Sequence, residues 1–192
     1  MSEAPGRNST YYVMTCEGVY PAAVVRRVTE LAGGPWMDGR LITEPVPNPM
    51  RFEVRPEYPG VLKPMYEGAV LLMRDDLIDV LRETGVDNLQ LFPSIVADQA
   101  KKLELTNYKA VNIVGTIACA DMGASALMGT SDSDMIDVDF DSLVIDEERA
   151  GGALLFRLAE AVSAIIVHDQ VRLRVEARIE GMTFYGPGEW SG

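Results

Sequence analysis

The sequence predicts an α+β fold, a mixed and mainly antiparallel sheet with about three helices. Short β-branched or aromatic runs recur along the chain, and apolar residues recur at helical spacing in three segments. The two kinds of segment do not alternate in the regular order that a parallel doubly wound sheet requires. Residues 1–9 are expected to form a flexible lead and residues 10–192 a single domain, a size that buries a substantial core without disulfides.

Tyr11-Tyr12-Val13-Met14 suits an opening strand. Pro21 fits the first turn of a helix in which Val24, Val25, Val28 and Leu31 share a face until Gly33-Gly34 ends it. From Pro35 to Pro64 repeated prolines remove backbone donors and favour extended chain, within which Arg51–Arg55 alternates like a short strand. Trp36, Ile42, Val46, Phe52, Val61 and Leu62 in this stretch predict that it packs on the core and is no interdomain linker. Asp75 then caps a helix carrying Leu77, Ile78 and Leu81 on one face, Gly85 ends it, and Asn88–Phe92 alternates as a strand closed by Pro93.

The same order returns near the C-terminus. Ala164–Val167 is apolar, Asp169 caps a helix with Val171, Val175 and Ile179, Gly181 ends it, and Met182–Tyr185 extends. This correspondence suggests an internal pseudo-repeat of helix-Gly-strand units, although helix-glycine-strand is also a common arrangement. Between the two units, Tyr108–Ile117 and Leu154–Leu158 read as further strands.

The charge excludes several classes of function. A net −12 repels nucleic-acid phosphate and anionic lipid within a Debye length of roughly 8–10 Å, so neither nucleic acid nor membrane is an expected partner. No apolar run reaches the length of about 18 residues needed to span a bilayer, and residues 1–10 lack the apolar core of a signal peptide. A cytoplasmic location is therefore expected. Cys16 and Cys119 lie in no metal-ligand spacing and read as buried reduced thiols.

No catalytic motif emerges. There is no GxSxG elbow, no phosphate-binding glycine loop, and one histidine, His168, beside a presumed helix cap. Asp75-Asp76 and Glu147-Glu148 are adjacent acids that point about 100° apart on a helix, a poor catalytic dyad. The reading is a non-enzyme without cofactor or metal. Two alternatives stay open: an enzyme assembled from scattered acids with Arg157, Arg172 or Arg174, and a calcium-dependent binding module over Asp137–Glu148. In the calcium-loop register, Asp137, Asp139, Asp141 and Glu148 take positions 1, 3, 5 and 12, but Ser142 stands where the sharp turn wants glycine.

The acidic run is the strongest candidate for a binding surface. Residues 132–149 hold a net −7 of the chain's −12. Ile136, Val138 and Phe140 alternate with Asp137, Asp139 and Asp141, so a strand would bury the first set and expose the second. Asp132, Asp134, Asp137, Asp139 and Asp141, together with Trp36, are the candidate partner-binding residues, with a solvated face as the bland alternative.

Several pieces also occur in a telling order: Pro35-Trp36-Met37-Asp38-Gly39, the Asp75–Phe92 unit ending in Leu91-Phe92-Pro93, and Tyr108–Ile113. Asp121 and Ser125, Leu155-Phe156-Arg157 and Gly181–Tyr185 follow. From about Trp36 to Pro187 the chain resembles the bacterial immunity proteins of polymorphic toxin systems, in the family first described from a myxobacterial protein and formerly a domain of unknown function. The resemblance implies a protein that protects the producing bacterium by binding a cognate protein toxin. It transfers no catalytic residues, and it leaves the oligomeric state open. Toxins that attack nucleic acid or nucleotides often present basic clefts, which an acidic strip could occupy as a phosphate mimic.

Overall fold

The structure is a computed structural model that describes residues 10–31, 36–127 and 139–192. The expected N-terminal lead, and Asp132, Asp134, Asp137, Ile136 and Val138 of the acidic run, lie outside the described residues. Those that are described form thirteen strands and three helices in mixed, mainly antiparallel sheets, an α+β fold.

One five-stranded sheet has the order β13-β1-β12-β11-β8. It comprises β1 (Tyr11–Thr15), β8 (Thr116–Ile117), β11 (Leu155–Leu158), β12 (Ile165–His168) and β13 (Thr183–Tyr185). A six-stranded sheet has the order β2-β3-β6-β7-β5-β4. Its strands are β2 (Val25–Arg27), β3 (Met50–Val54), β4 (Met65–Tyr66), β5 (Leu71–Arg74), β6 (Leu89–Asp98) and β7 (Leu103–Ile113). A small antiparallel pair joins β9 (Ala126–Leu127) to β10 (Phe140–Ser142). Only β3 with β6 and β8 with β11 pair in parallel among the named strands.

The two helix-Gly-strand units share one topology. β5 runs directly into α1 (Asp75–Glu83), Gly85 turns the chain at φ 103°, and β6 returns parallel to β5 with β7 antiparallel between them. β12 runs directly into α3 (Asp169–Glu176), Gly181 turns at φ 88°, and β13 returns parallel to β12 with β1 antiparallel between them. Each is a split β-α-β unit. The central strand follows in sequence in the first unit and comes from the N-terminus in the second, which periodicity along the chain does not reveal.

Alternation in the strands builds the layers. Leu71, Met73, Val111 and Ile113 from one sheet, and Met14, Leu155, Ile165 and Val167 from the other, meet in a single apolar cluster with α1 and α3. Leu77, Leu81, Val171 and Val175 are fully buried in it, as their helical spacing predicts. Burying side chains of this size stabilises by about 1.5–3 kcal/mol each, which is why these short helices hold their place. The opposite face of the five-stranded sheet packs Tyr11, Val13, Phe156 and Ile166 beneath Phe140, Leu143 and Trp190. The opposite face of the six-stranded sheet packs Phe52, Leu72, Tyr108 and Ala110 beneath Trp36 and Ile42 of the proline-rich segment.

Some local expectations are corrected. The helix predicted from Pro21 to Leu31 does not form; Val25–Arg27 is strand β2, paired antiparallel with β3. Its β-branched valines fit a pleated strand at least as well as a helix, and the partner at Phe52–Val54 decides the contest. β6 does not stop at Pro93 but continues to Asp98. Pro93 is exposed and lies one residue before the ladder to β3 begins at Ser94. Val61 is exposed although its backbone pairs, so its side chain adds nothing to the core. The third helix is α2 (Glu147–Ala150), a single turn. The caps also move one residue upstream: α1 starts after Arg74 without a side-chain cap, and His168 Nδ1 accepts the Gln170 amide at the start of α3.

Candidate functional site

Beside the five-stranded sheet, a cleft of about 780 Å³ is lined by Asp121, Asp146, Glu147, Glu148 and Glu189. Tyr12, Val144 and Pro187 contribute apolar wall. Two segments far apart in sequence are laced together to form it. Ala120 bridges Ile145, the Asp121 amide donates to Val144 O at 2.8 Å, and the Asp146 amide donates to Cys119 O at 2.7 Å.

Local turn chemistry then aims the carboxylates. Asp121 Oδ1 accepts the amides of Gly123 (3.0 Å) and Ala124 (3.1 Å), fixing a tight turn. Asp146 caps α2 by accepting the Glu148 and Arg149 amides, both at 3.1 Å. Glu147 receives the backbone amide and hydroxyl of Thr10 at 2.9 and 2.8 Å, and Glu189 receives the Gly186 amide at 2.8 Å. Backbone amides thus hold four of the five carboxylates in place without neutralising them. Among the described residues only Asp146 of this set forms an ion pair, with Arg149 at 3.2 Å. The cleft therefore offers dense negative charge in fixed positions, suited to a guanidinium or ammonium group.

Neither of the predicted aspartates that are described, Asp139 and Asp141, lines this cleft. Asp139 and Asp141 are exposed, while Phe140 between them is buried, so the alternation holds over the described end of the run. β10 leads through Leu143 directly into the lip of the cleft, and the C-terminal segment braces it: Gly188 N–H donates to Leu143 O, and Phe140 and Gly192 exchange backbone hydrogen bonds. Trp36 belongs elsewhere. It is buried against Phe92 in the outer layer of the other sheet, with ring centroids 5.1 Å apart, and it supports that surface from beneath.

Asp141 lies on an extended strand and Asp146 is spent as a cap, so the described part of the calcium register does not wrap as a loop. No group of three potential metal-ligating residues occurs among the described residues. Arg157 is buried with Nη1 donating to Val162 O at 2.6 Å, and burial pushes its pKa down to about 10. Arg172 is held by Asp169 and Glu176 and lies over the Tyr12 ring, and Arg174 is exposed on α3. Burial pushes the Cys16 thiol up and the Cys119 thiol up to about 12, so both stay protonated and unreactive. None of the five cleft carboxylates is among the partner-binding candidates that the sequence offers: Asp146, Glu147 and Glu148 belong to the acidic run, while Asp121 and Glu189 lie outside it. The Asp121-x-Gly pattern signals a turn, but nothing in the sequence places it against residues 144–148.

No helix among the described residues is long and apolar enough to cross a membrane. A search of curated proteins found no match to the chain. A family model described as "Immunity protein family (Imm11)" matches residues 16–188, which includes the first split β-α-β unit, the second apart from its central strand β1, and the whole acidic cleft apart from Tyr12 and Glu189. Over that span, nine-tenths of its length, the chain belongs to the Imm11 immunity protein family.

Proposed function

We propose that this protein protects a bacterial cell of a polymorphic toxin system by binding a cognate toxin in the cytoplasm, without catalysis and without cofactor. Membership of the immunity family supports the general role. The observation that carries the mode of action is the acidic cleft, four of whose five carboxylates are positioned by backbone amides and which, apart from Asp146, have no cationic partner among the described residues. A toxin with a basic cleft would be attracted over a Debye length and then meet acceptors already in position. The exposed Asp139 and Asp141 extend the negative face, and Asp132, Asp134 and Asp137 are assigned to the same role by their place in the sequence.

The test has two stages. Affinity capture from the native cell, followed by mass spectrometry, identifies the toxin. Binding kinetics of that toxin with wild-type protein and with an Asp139→Asn, Asp141→Asn, Glu148→Gln variant then probe the face. The variant associates more slowly at low salt, with the difference shrinking as salt rises, because rim charges act mainly on the association rate. Equal association rates at low salt overturn the assignment of the interface to this face, and capture of no toxin overturns the function.

A further inference from the structure

The six-stranded sheet curls until its two edges face each other. Ala22, leading into β2, bridges Val61, leading into β4; the Ala23 amide donates to Val61 O and the Val61 amide to Pro21 O, both at 2.9 Å. The seam is closed at that end. Farther along it opens, and Val25 and Arg27 of β2 line a cavity of about 230 Å³ together with Tyr66 of β4.

Hydrogen bonding tells which groups of β2 face this opening. Val24 O accepts the Arg55 amide and the Val28 amide donates to Arg51 O, both at 2.8 Å, so even-numbered residues pair with β3. The amides and carbonyls of Val25 and Arg27 point the other way, toward the seam. Phe52, Val70 and Leu72 supply an apolar floor. Of the two charged residues in the lining, Glu67 is engaged by Lys63 at 3.4 Å and by the Cys16 amide at 2.7 Å, whereas Arg27 is exposed and forms no ion pair among the described residues; the neighbouring Arg26 is held by Glu53.

We propose that this open seam is a strand-docking site for an extended segment of a partner protein. The segment adds to the free edge of β2, places one apolar side chain in the cavity, and sets a carboxylate two residues away against Arg27. The cavity is smaller than the roughly 300 Å³ at which small-molecule pockets begin, so a single side chain suits it. A second copy of this chain suits it less, because pairing β2 with β2 would bring Arg26 and Arg27 of both copies together. The nearby exposed Tyr58, with Arg55 at 5.2 Å over its ring, adds residue types that anchor interfaces. This site lies on the other sheet from the acidic cleft and selects the opposite charge, so it stands or falls independently of the proposed function.

The probe is an acetylated and amidated pentapeptide, Thr-Leu-Thr-Glu-Thr, titrated into the ¹⁵N-labelled full chain at physiological salt. Saturable shifts and slowed hydrogen exchange are expected at the Val25 and Arg27 amides. A control peptide with leucine and glutamate adjacent puts them on opposite faces and does not saturate. Ala69→Phe, from an exposed position on the cavity rim, abolishes binding. Arg27→Glu weakens binding about fivefold, the equivalent of roughly 1 kcal/mol, and Arg27→Lys restores most of it. Amide spectra of β6 and β7 establish that each variant is folded. The proposal is overturned by absence of saturation, by shifts confined to other surfaces, by undiminished binding to Ala69→Phe, or by dimerisation through β2 without peptide.

Discussion

Leu81 stands where α1 meets the shared apolar layer, fully buried among side chains drawn from both sheets and from α3. Leu81→Ala is expected to cost about 2–5 kcal/mol, the range for a buried leucine whose cavity cannot collapse. Urea denaturation measures it, and a change within about 0.5 kcal/mol would mean that α1 presents another face to the core. Asp76, one turn earlier, illustrates an electrostatic contribution of smaller size. Its two oxygens receive Arg74 Nε and Nη2, each at 2.7 Å, and the Arg74 hydrogen bonds hold its carboxyl below the usual carboxylate range. Because the folded-state value is depressed, the stabilisation is present above the unfolded pKa of about 3.9 and is lost as pH falls through the folded value. With its side chain half exposed, the pair together with the helix terminus contributes about 1 kcal/mol or less. Asp76→Asn is therefore less stable at pH 7, and the difference from wild type closes on acidification below pH 4. A gap that stayed constant with pH would assign the loss to packing.

At the scale of elements, glycines stand at turns, Gly85 and Gly181 within the split units and Gly152 between α2 and β11, and they are not equivalent. Gly181 has φ 88°, a Cβ built on it would lie 2.3 Å from Val19 Cγ2, and its carbonyl receives the Gly18 amide and the Cys16 thiol. Gly152 has φ 78° but nothing within 4 Å of a built Cβ. Gly152→Ala should cost about 1–2 kcal/mol for the left-handed backbone alone, and Gly181→Ala more, because Val19 must also move. Thermal unfolding of the two variants separates backbone strain from contact; equal losses would show that Val19 yields freely. Gly85 and Gly181, with the apolar spacing of Leu77, Leu81, Val171 and Val175, made α1 and α3 legible in the sequence. The segment from Val24 to Val28 was misread because β-branched residues at spacing four suit either structure, and only the partner strand decides. Neither the insertion of β1 and β7 into their units nor the curl of the larger sheet has a local signature. The acidic run was visible as charge, yet the cleft depends on the long-range lacing of Cys119–Asp121 to Val144–Asp146.

Over the whole molecule, charge is segregated by sequence. Residues 11–113 carry fourteen acids against eleven lysines and arginines, whereas residues 114–192 carry fourteen acids against five arginines. Such crowding repels itself, so the acidic face destabilises the compact state while it accelerates encounter with a basic partner. Among the described residues, the carboxylates of Asp139, Asp141 and Glu148 form no ion pair and hold no backbone amide, unlike those of Asp121, Asp146, Glu147 and Glu189. Replacing these three with Asn, Asn and Gln relieves repulsion without removing a structural hydrogen bond. The variant is expected to unfold at a higher temperature at low salt, by about 2–4 °C if the relief is about 1 kcal/mol in a chain of this size. Added salt should raise the wild-type midpoint more than the variant's, narrowing the gap, because screening supplies the same relief. Stability and association rate then move in opposite directions, the pattern of charge retained for binding at a cost to the fold. A lower unfolding temperature for the variant at low salt would instead make these carboxylates part of what holds β10 and α2 in place.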